Sequence, residues 1–158
     1  MKKLLYFEDI DTNSPEDYYE TKIEFQGHEV SIDLNLDDEP SETWMEDYIL
    51  FIPNLEKYHQ NIKSMIKGYY NQEGLVKEFF AYHMEETADE IAELMEETDT
   101  SLSQDDRMVS LLKLRRIGFY FAEDNFATWD FTFGEFSDQI YVVVTDKDGK
   151  IIDTTWES

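Results

Sequence analysis

The stretch Ile23-Glu-Phe-Gln-Gly-His-Glu-Val-Ser-Ile-Asp-Leu34 decides the fold class. Apolar and polar residues alternate on both sides of Gln26-Gly27-His28. A period of two belongs to a strand with one buried and one wet face. With Gly27-His28 as a two-residue turn, Ile23 is expected opposite Ile32 and Phe25 opposite Val30, which gathers the apolar residues on one face of a hairpin. The alternation reaches back to Tyr19 and forward to Leu36. Leu4–Phe7 is expected to add a further strand.

The period then changes. Asp37-Asp-Glu-Pro-Ser-Glu-Thr43 breaks the chain with helix-start chemistry, where Thr43 and Glu46 form a candidate capping box and Ser41 a rival cap. Trp44, Tyr48, Phe51, Leu55, Tyr58, Ile62, Met65 and Tyr69 recur at alternating spacings of four and three, a helical stripe. Pro53 lies inside the stripe without disturbing its phase, so two nearly coaxial helical pieces are expected. A second run covers about 75–97, with Val76, Phe79, Phe80, Met84, Ala88, Ile91 and Met95 as its apolar positions. Ser103 followed by Gln104-Asp105-Asp106 reads as the cap and first turn of a short helix.

Strand periodicity returns at Leu114–Phe121, Ala127–Phe133, Gln139–Thr145 and Ile151–Trp156. Asp148-Gly149 is the expected type I′ turn of the last hairpin. The short links between these strands favour antiparallel neighbours. The expectation is therefore one α+β domain over residues 1–158: N-terminal strands at 4–36, a helical insert at 41–112 and C-terminal strands at 114–156. About six antiparallel strands carry two to three helices on one face.

The chain has 158 residues, with 13 Lys plus Arg against 37 Asp plus Glu, a formal charge of −24. It is 41 % apolar and 15 % aromatic, enough for a core despite that charge. So large a negative balance argues against nucleic acid and anionic membranes as partners, because both need Lys and Arg against phosphates. No Cys is present, which removes disulfides, a thiol nucleophile and thiolate metal sites. Glu8-Asp9 ends the opening apolar run too early for a secretory signal, and no segment reaches the roughly 18 apolar residues of a membrane span. A cytoplasmic protein is expected.

Eleven acidic residues and no basic one lie between Lys77 and Arg107. On a continuous helix, Glu86, Glu90, Glu93 and Glu97 form one anionic stripe. Like charges at those spacings cost helix stability, so local stability does not account for the stripe. It is read either as a solvated outer face or as a docking surface for a basic protein partner. Asp9, Asp11, Asn13, Asp17 and Glu20 place oxygen ligands at calcium-loop offsets, but Ser14 takes the glycine position and Glu16 the apolar one. Lys113, Arg115 and Arg116 form a compact basic cluster, suited to an anionic ligand or to pairing with nearby carboxylates. His28 falls at a turn, whereas His59 and His83 fall beside helical apolar stripes, where packing is their expected role. His83 with Glu86 or Glu90 is the alternative, part of a metal site. Trp44, Trp129 and Trp156 are expected in or around the core, with Trp129 and Tyr120 marking a binding patch if exposed together. No nucleophile elbow, phosphate loop or dinucleotide motif is present, and no cofactor is expected.

The hairpin Ile23–Leu34, the helix at Pro53-Asn-Leu55, Val76-Lys-Glu-Phe-Phe-Ala-Tyr-His83 and Leu114–Tyr120 together resemble an uncharacterised bacterial family, the domain of unknown function numbered two thousand and four. The resemblance covers most of the chain. It implies no activity and carries over no site residue. In size and acidity the chain also resembles immunity proteins that neutralise bacterial toxins. The residues thus favour a non-enzymatic, immunity-like or inhibitor-like binding module with an anionic helix face. A hydrolase or metal-dependent enzyme built on carboxylates and His83 is the alternative, as is a calcium-binding domain using loop 9–20.

Overall fold

The structure, a computed structural model, describes residues 4–8, 10, 11 and 13–158. Six strands form one sheet in the order β1 (Tyr18–Phe25), β2 (His28–Asn35), β3 (Lys113–Phe119), β4 (Ala127–Thr132), β5 (Ile140–Thr145) and β6 (Ile151–Glu157). The fold class is α+β, as expected. The expectation of a wholly antiparallel sheet needs correction. Every neighbouring pair is antiparallel except β2–β3, which run parallel with Ile32 beside Ile117 and Leu34 beside Phe119. The cause is the insert: all the described helices lie between β2 and β3, and a long helical crossover can return a strand in the same direction as its neighbour.

The β1–β2 hairpin also turns one residue earlier than expected. Phe25 pairs with His28 and Ile23 with Val30, so Gln26 and Gly27 form the turn. Both have positive φ, 53° and 81°, as a type I′ turn demands. This slip of two in pairing leaves every side chain on its expected face. The last hairpin, by contrast, is not type I′ as expected. Only Gly149 has positive φ (78°) there; the Gly149 amide donates to the Asp146 carbonyl, and the β5–β6 register shifts after Val144. That is a type I turn closed by a glycine bulge. Leu4–Phe7 is not a strand but a tight turn closed by a bridge between Leu4 and Phe7. Burial of those two side chains and the Tyr48 hydroxyl, which donates to the Leu5 carbonyl at 2.7 Å, hold it.

Five α-helical segments fill the crossover. They are α1 (Trp44–Phe51), α2 (Leu55–Tyr69), α3 (Leu75–Glu86), α4 (Ala88–Glu96) and α5 (Gln104–Ser110). Pro53 sits in a 3-10 turn, Ile52–Asn54, between α1 and α2. The expected stripe passes through that turn, and its members from Trp44 to Ile62 are all buried. The Ser103 hydroxyl caps α5, accepting from the Asp106 amide at 3.1 Å. The Thr43 hydroxyl does not cap α1; it donates to Asp47 at 2.9 Å. The expected single run at 75–97 is two helices. At Thr87 (φ −130°, ψ 41°) the backbone leaves the helical region, while the Thr87 amide and hydroxyl both donate to the His83 carbonyl at 2.9 and 2.7 Å.

Strand parity puts Val30, Ile32, Leu34, Ile117, Phe119, Trp129 and Phe131 on the face that receives the helices, and all are buried. Phe51 lies at the centre, with ring centroids 4.9 Å from Tyr58, 5.1 Å from Phe126, 5.4 Å from Phe119 and 6.2 Å from Trp129. Each large apolar side chain buried in this way contributes about 1.5–3 kcal/mol of transfer free energy. The Trp129 indole N–H donates to the Thr145 hydroxyl at 3.0 Å, so the largest core ring carries no unmet polar group. Trp129 and Tyr120 therefore do not form an exposed patch: Trp129 is fully buried and Tyr120 stands on the other face.

Candidate functional site

The opposite face of the sheet carries the alternate residues: Glu20 and Lys22 of β1, Ser31, Asp33 and Asn35 of β2, Arg116 and Gly118 of β3, Thr128 and Asp130 of β4. Its middle is built around Arg116. The guanidinium makes a two-pronged contact with Asp33, Nε to Oδ2 at 2.7 Å and Nη2 to Oδ1 at 2.9 Å. Nη1 reaches Asp130 Oδ2 at 3.2 Å, and Nη2 also donates to the Tyr120 hydroxyl at 2.9 Å. Asn35 adds a 2.6 Å hydrogen bond to Asp33. Asp33 is only 1 % exposed and its carboxylate is satisfied by this planar fork, the geometry for which Arg is suited.

Gly118 makes the arrangement possible. A Cβ there would lie 2.3 Å from Arg116 Nη2, so only a bare backbone lets the guanidinium lie flat across β3. Burial alone would lower the Arg116 pKa, but the contacts to Asp33, Tyr120 and Asp130 raise it. The Asp130 carboxyl is pushed up by burial and by the nearby Glu157 and Asp33, and Arg116 only partly offsets this. One cation thus serves two carboxylates. The expected basic cluster is divided by the fold: Arg116 pairs across the open face, Arg115 Nε donates to Thr132 Oγ1 at 3.1 Å, and Lys113 is exposed.

The anionic positions Glu86, Glu90, Glu93 and Glu97 are all exposed. They do not share one continuous helix. Glu86 ends α3, Glu90 and Glu93 belong to α4, and Glu97 caps its C-terminus. The buried side of α4 is marked by Ile91, with Leu94 and Met95 half-buried against the core.

The calcium-loop positions are dispersed. Asp9 lies outside the described residues. Asp11 Oδ1 accepts from the Asn13 amide at 3.0 Å, the Asp17 carbonyl accepts from the Leu36 amide at 2.8 Å, and Asn13 is exposed. Glu20 lies within β1, accepting from the Tyr18 and Ser31 hydroxyls at 3.0 and 3.2 Å. Among the described residues no group of three or more His, Asp or Glu comes together closely enough to hold a metal ion.

His83 is 0 % exposed. Its Nδ1 faces the Phe79 carbonyl at 2.9 Å and so carries the proton; its Nε2 then accepts from the Ser137 hydroxyl at 2.7 Å. Burial lowers its pKa, in keeping with a neutral ring packed against Phe79 and Phe133. With both nitrogens occupied inside the core, His83 cannot reach a substrate without rearrangement. His59 lies edge-on to Phe25 and stacks over Phe131, with ring centroids 5.3 and 6.0 Å away. Burial, then Lys63 and His28, lower its pKa to about 4.

Two arrangements escape a reading of the sequence. The Asp33–Arg116–Asp130 network was signalled only by parity, as charged residues on the wet side of three strands. The grouping of His28, His59, Lys63 and Lys113 draws on three elements, β2, α2 and β3, and the His59–Lys63 spacing of four on α2 is its single local trace. No helix among the described residues is long and apolar enough to cross a membrane. No family model matches the chain, and neither a curated protein nor a solved structure matches it.

Proposed function

We propose that the chain is a non-catalytic binding module, immunity-like or inhibitor-like, that presents carboxylates to a basic protein partner. One observation carries the reading: Glu86, Glu90, Glu93 and Glu97 all stand in solvent on a segment with no basic residue between Lys77 and Arg107. The cost of crowding like charges falls on α3 and α4, and a partner's cations would relieve it. Charge of this kind acts chiefly on encounter rate and selectivity, and salt screens it over about 8 Å at physiological ionic strength.

The test is retention of host proteins on the full chain at low and high salt. The comparison bait carries Glu86, Glu90, Glu93 and Glu97 all changed to Gln. A basic protein held by the native chain, released by salt and lost from the variant bait supports the reading. Equal retention by both baits, or no basic protein on either, refutes it.

A further inference from the structure

The chain carries −24 net charge, yet in one place two lysines and two histidines converge without a carboxylate. A cavity of about 220 Å³ opens where the β1–β2 turn, α2, the end of α5 and the start of β3 meet. It is lined by His28, His59, Lys63, Lys113, Gln26 and Ser110, together with apolar Leu112 and Leu114, and by no Asp or Glu. At about 30 Å³ of liquid volume per water, it has room for about seven waters, or for a tetrahedral oxyanion and part of its shell.

Three of the four basic side chains are held in place. Lys63 Nζ donates to the Val109 and Leu112 carbonyls at 2.7 and 2.5 Å, tying α2 to the end of α5 and leaving one ammonium N–H. The His59 ring is fixed in plane by Phe131 and Phe25, and neither of its nitrogens has a hydrogen-bond partner among the described residues. His28 Nε2 lies 2.7 Å from the Leu114 carbonyl, so its ring also stands in one orientation. Lys113 is exposed and forms no ion pair with any described residue.

The electrostatics is that of a site lacking its counter-charge. Burial first, and then Lys113, lower the Lys63 pKa to about 8. A structural lysine that merely caps a helix needs no second lysine and two imidazoles beside it. Lys63 and Lys113 bring two like charges to a partly desolvated pocket, which is costly unless an anion completes them.

We infer that this cavity binds a phosphate-type oxyanion, either free inorganic phosphate or the phosphoryl group of a small monoester. Lys113 supplies the mobile cation, the remaining Lys63 N–H and the His59 ring supply fixed donors, and the Gln26 amide supplies a neutral one. The site adjoins one end of the proposed anionic docking face, since Glu97 lines a neighbouring cavity with His28, Ser110 and Lys113, but a phosphate titration tests it whatever that face binds.

The full chain is titrated with sodium phosphate, with phosphoserine and with sodium chloride at matched ionic strength, followed by calorimetry and by the ring resonances of His59 and His28. Saturable phosphate or phosphoserine binding with a dissociation constant of about 1 mM or tighter is expected, with both rings responding and chloride inert. Tighter binding of phosphoserine than of phosphate identifies a monoester as ligand, and the reverse order identifies the free ion. Lys113→Ala is expected to weaken binding about tenfold while leaving the melting temperature unchanged, and Lys22→Ala, on the open sheet face, to have no effect. No saturation, an equal response to chloride, or equal losses from Lys113→Ala and Lys22→Ala overturns the proposal.

Discussion

Gly118→Ala perturbs the open sheet face through a single carbon. The added Cβ would stand 2.3 Å from Arg116 Nη2 and 2.7 Å from its Cζ. Contacts need more than 3.4 Å, so the guanidinium must lift by about 1 Å or more. Its hydrogen bonds to Asp33, 2.7 and 2.9 Å long, do not survive that shift. Breaking a fully buried ion pair from one side costs about 3–5 kcal/mol. Here Asp33 is buried but the Arg116 side chain is 31 % exposed, so solvent recovers part of the loss and about 2–3 kcal/mol remains. Alanine returns about 0.5–1 kcal/mol over glycine within a strand. The net expectation is a destabilisation of about 1–2 kcal/mol. In an Arg116→Ala background nothing overhangs Gly118, and the same substitution should stabilise by about 0.5 kcal/mol. Urea unfolding followed by tryptophan fluorescence on the four proteins of this cycle measures both values. Equal effects of Gly118→Ala in the two backgrounds would refute the idea that glycine is there to seat the arginine.

Phe51→Ala should cost about 3–5 kcal/mol in the same assay, because the ring touches Tyr58, Phe119, Phe126 and Trp129 at once; a cost under about 1 kcal/mol would displace it from the centre of the core. Ser137→Ala leaves the buried Nε2 of His83 without a donor and should cost about 1–3 kcal/mol, with a shift of the His83 ring-nitrogen resonance as its signature. His59 carries a pKa near 4 in the folded chain against 6.5 in the unfolded one, so the unfolded state binds the extra proton between those values. The stability gained from keeping His59 neutral is complete above pH 6.5 and is lost as pH falls toward 4, by about 2 kcal/mol after allowance for the solvent that reaches the ring. His59→Leu should remove this component from the pH dependence of unfolding, and an unchanged slope would contradict it.

Periodicity reported which side of each element is buried, and it did so reliably for the hairpin and for the stripe from Trp44 to Ile62. It could not distinguish two pairings that differ by two residues, since both bury Ile23 with an apolar partner. The turn decided that question through the positive φ of Gln26 and Gly27. The parallel contact of β2 with β3 was hidden because nothing local encodes the direction in which a strand returns after a long excursion. The break at Thr87 was hidden for a related reason: the apolar spacing from Val76 to Met95 suits one helix, and it is the Thr87 side chain, folded back onto His83, that ends the first. Acidity was plain from composition. The convergence of His28, His59, Lys63 and Lys113 was not, because only the assembled helices and strands bring those four together.

The lone parallel pair has a kinetic consequence. Strands β3 to β6 follow one another through short links and can zip up locally, whereas β2 meets β3 only after the whole crossover has condensed. On a ribosome, the leading ribbon of β1 and β2 emerges first yet finds its docking edge last. Until then it is a two-stranded fragment with one greasy side and no cover, marginal in water by itself. Its Glu20, Lys22, Glu24 and Glu29 then serve as guards against premature association, during the interval when the nascent chain is most vulnerable.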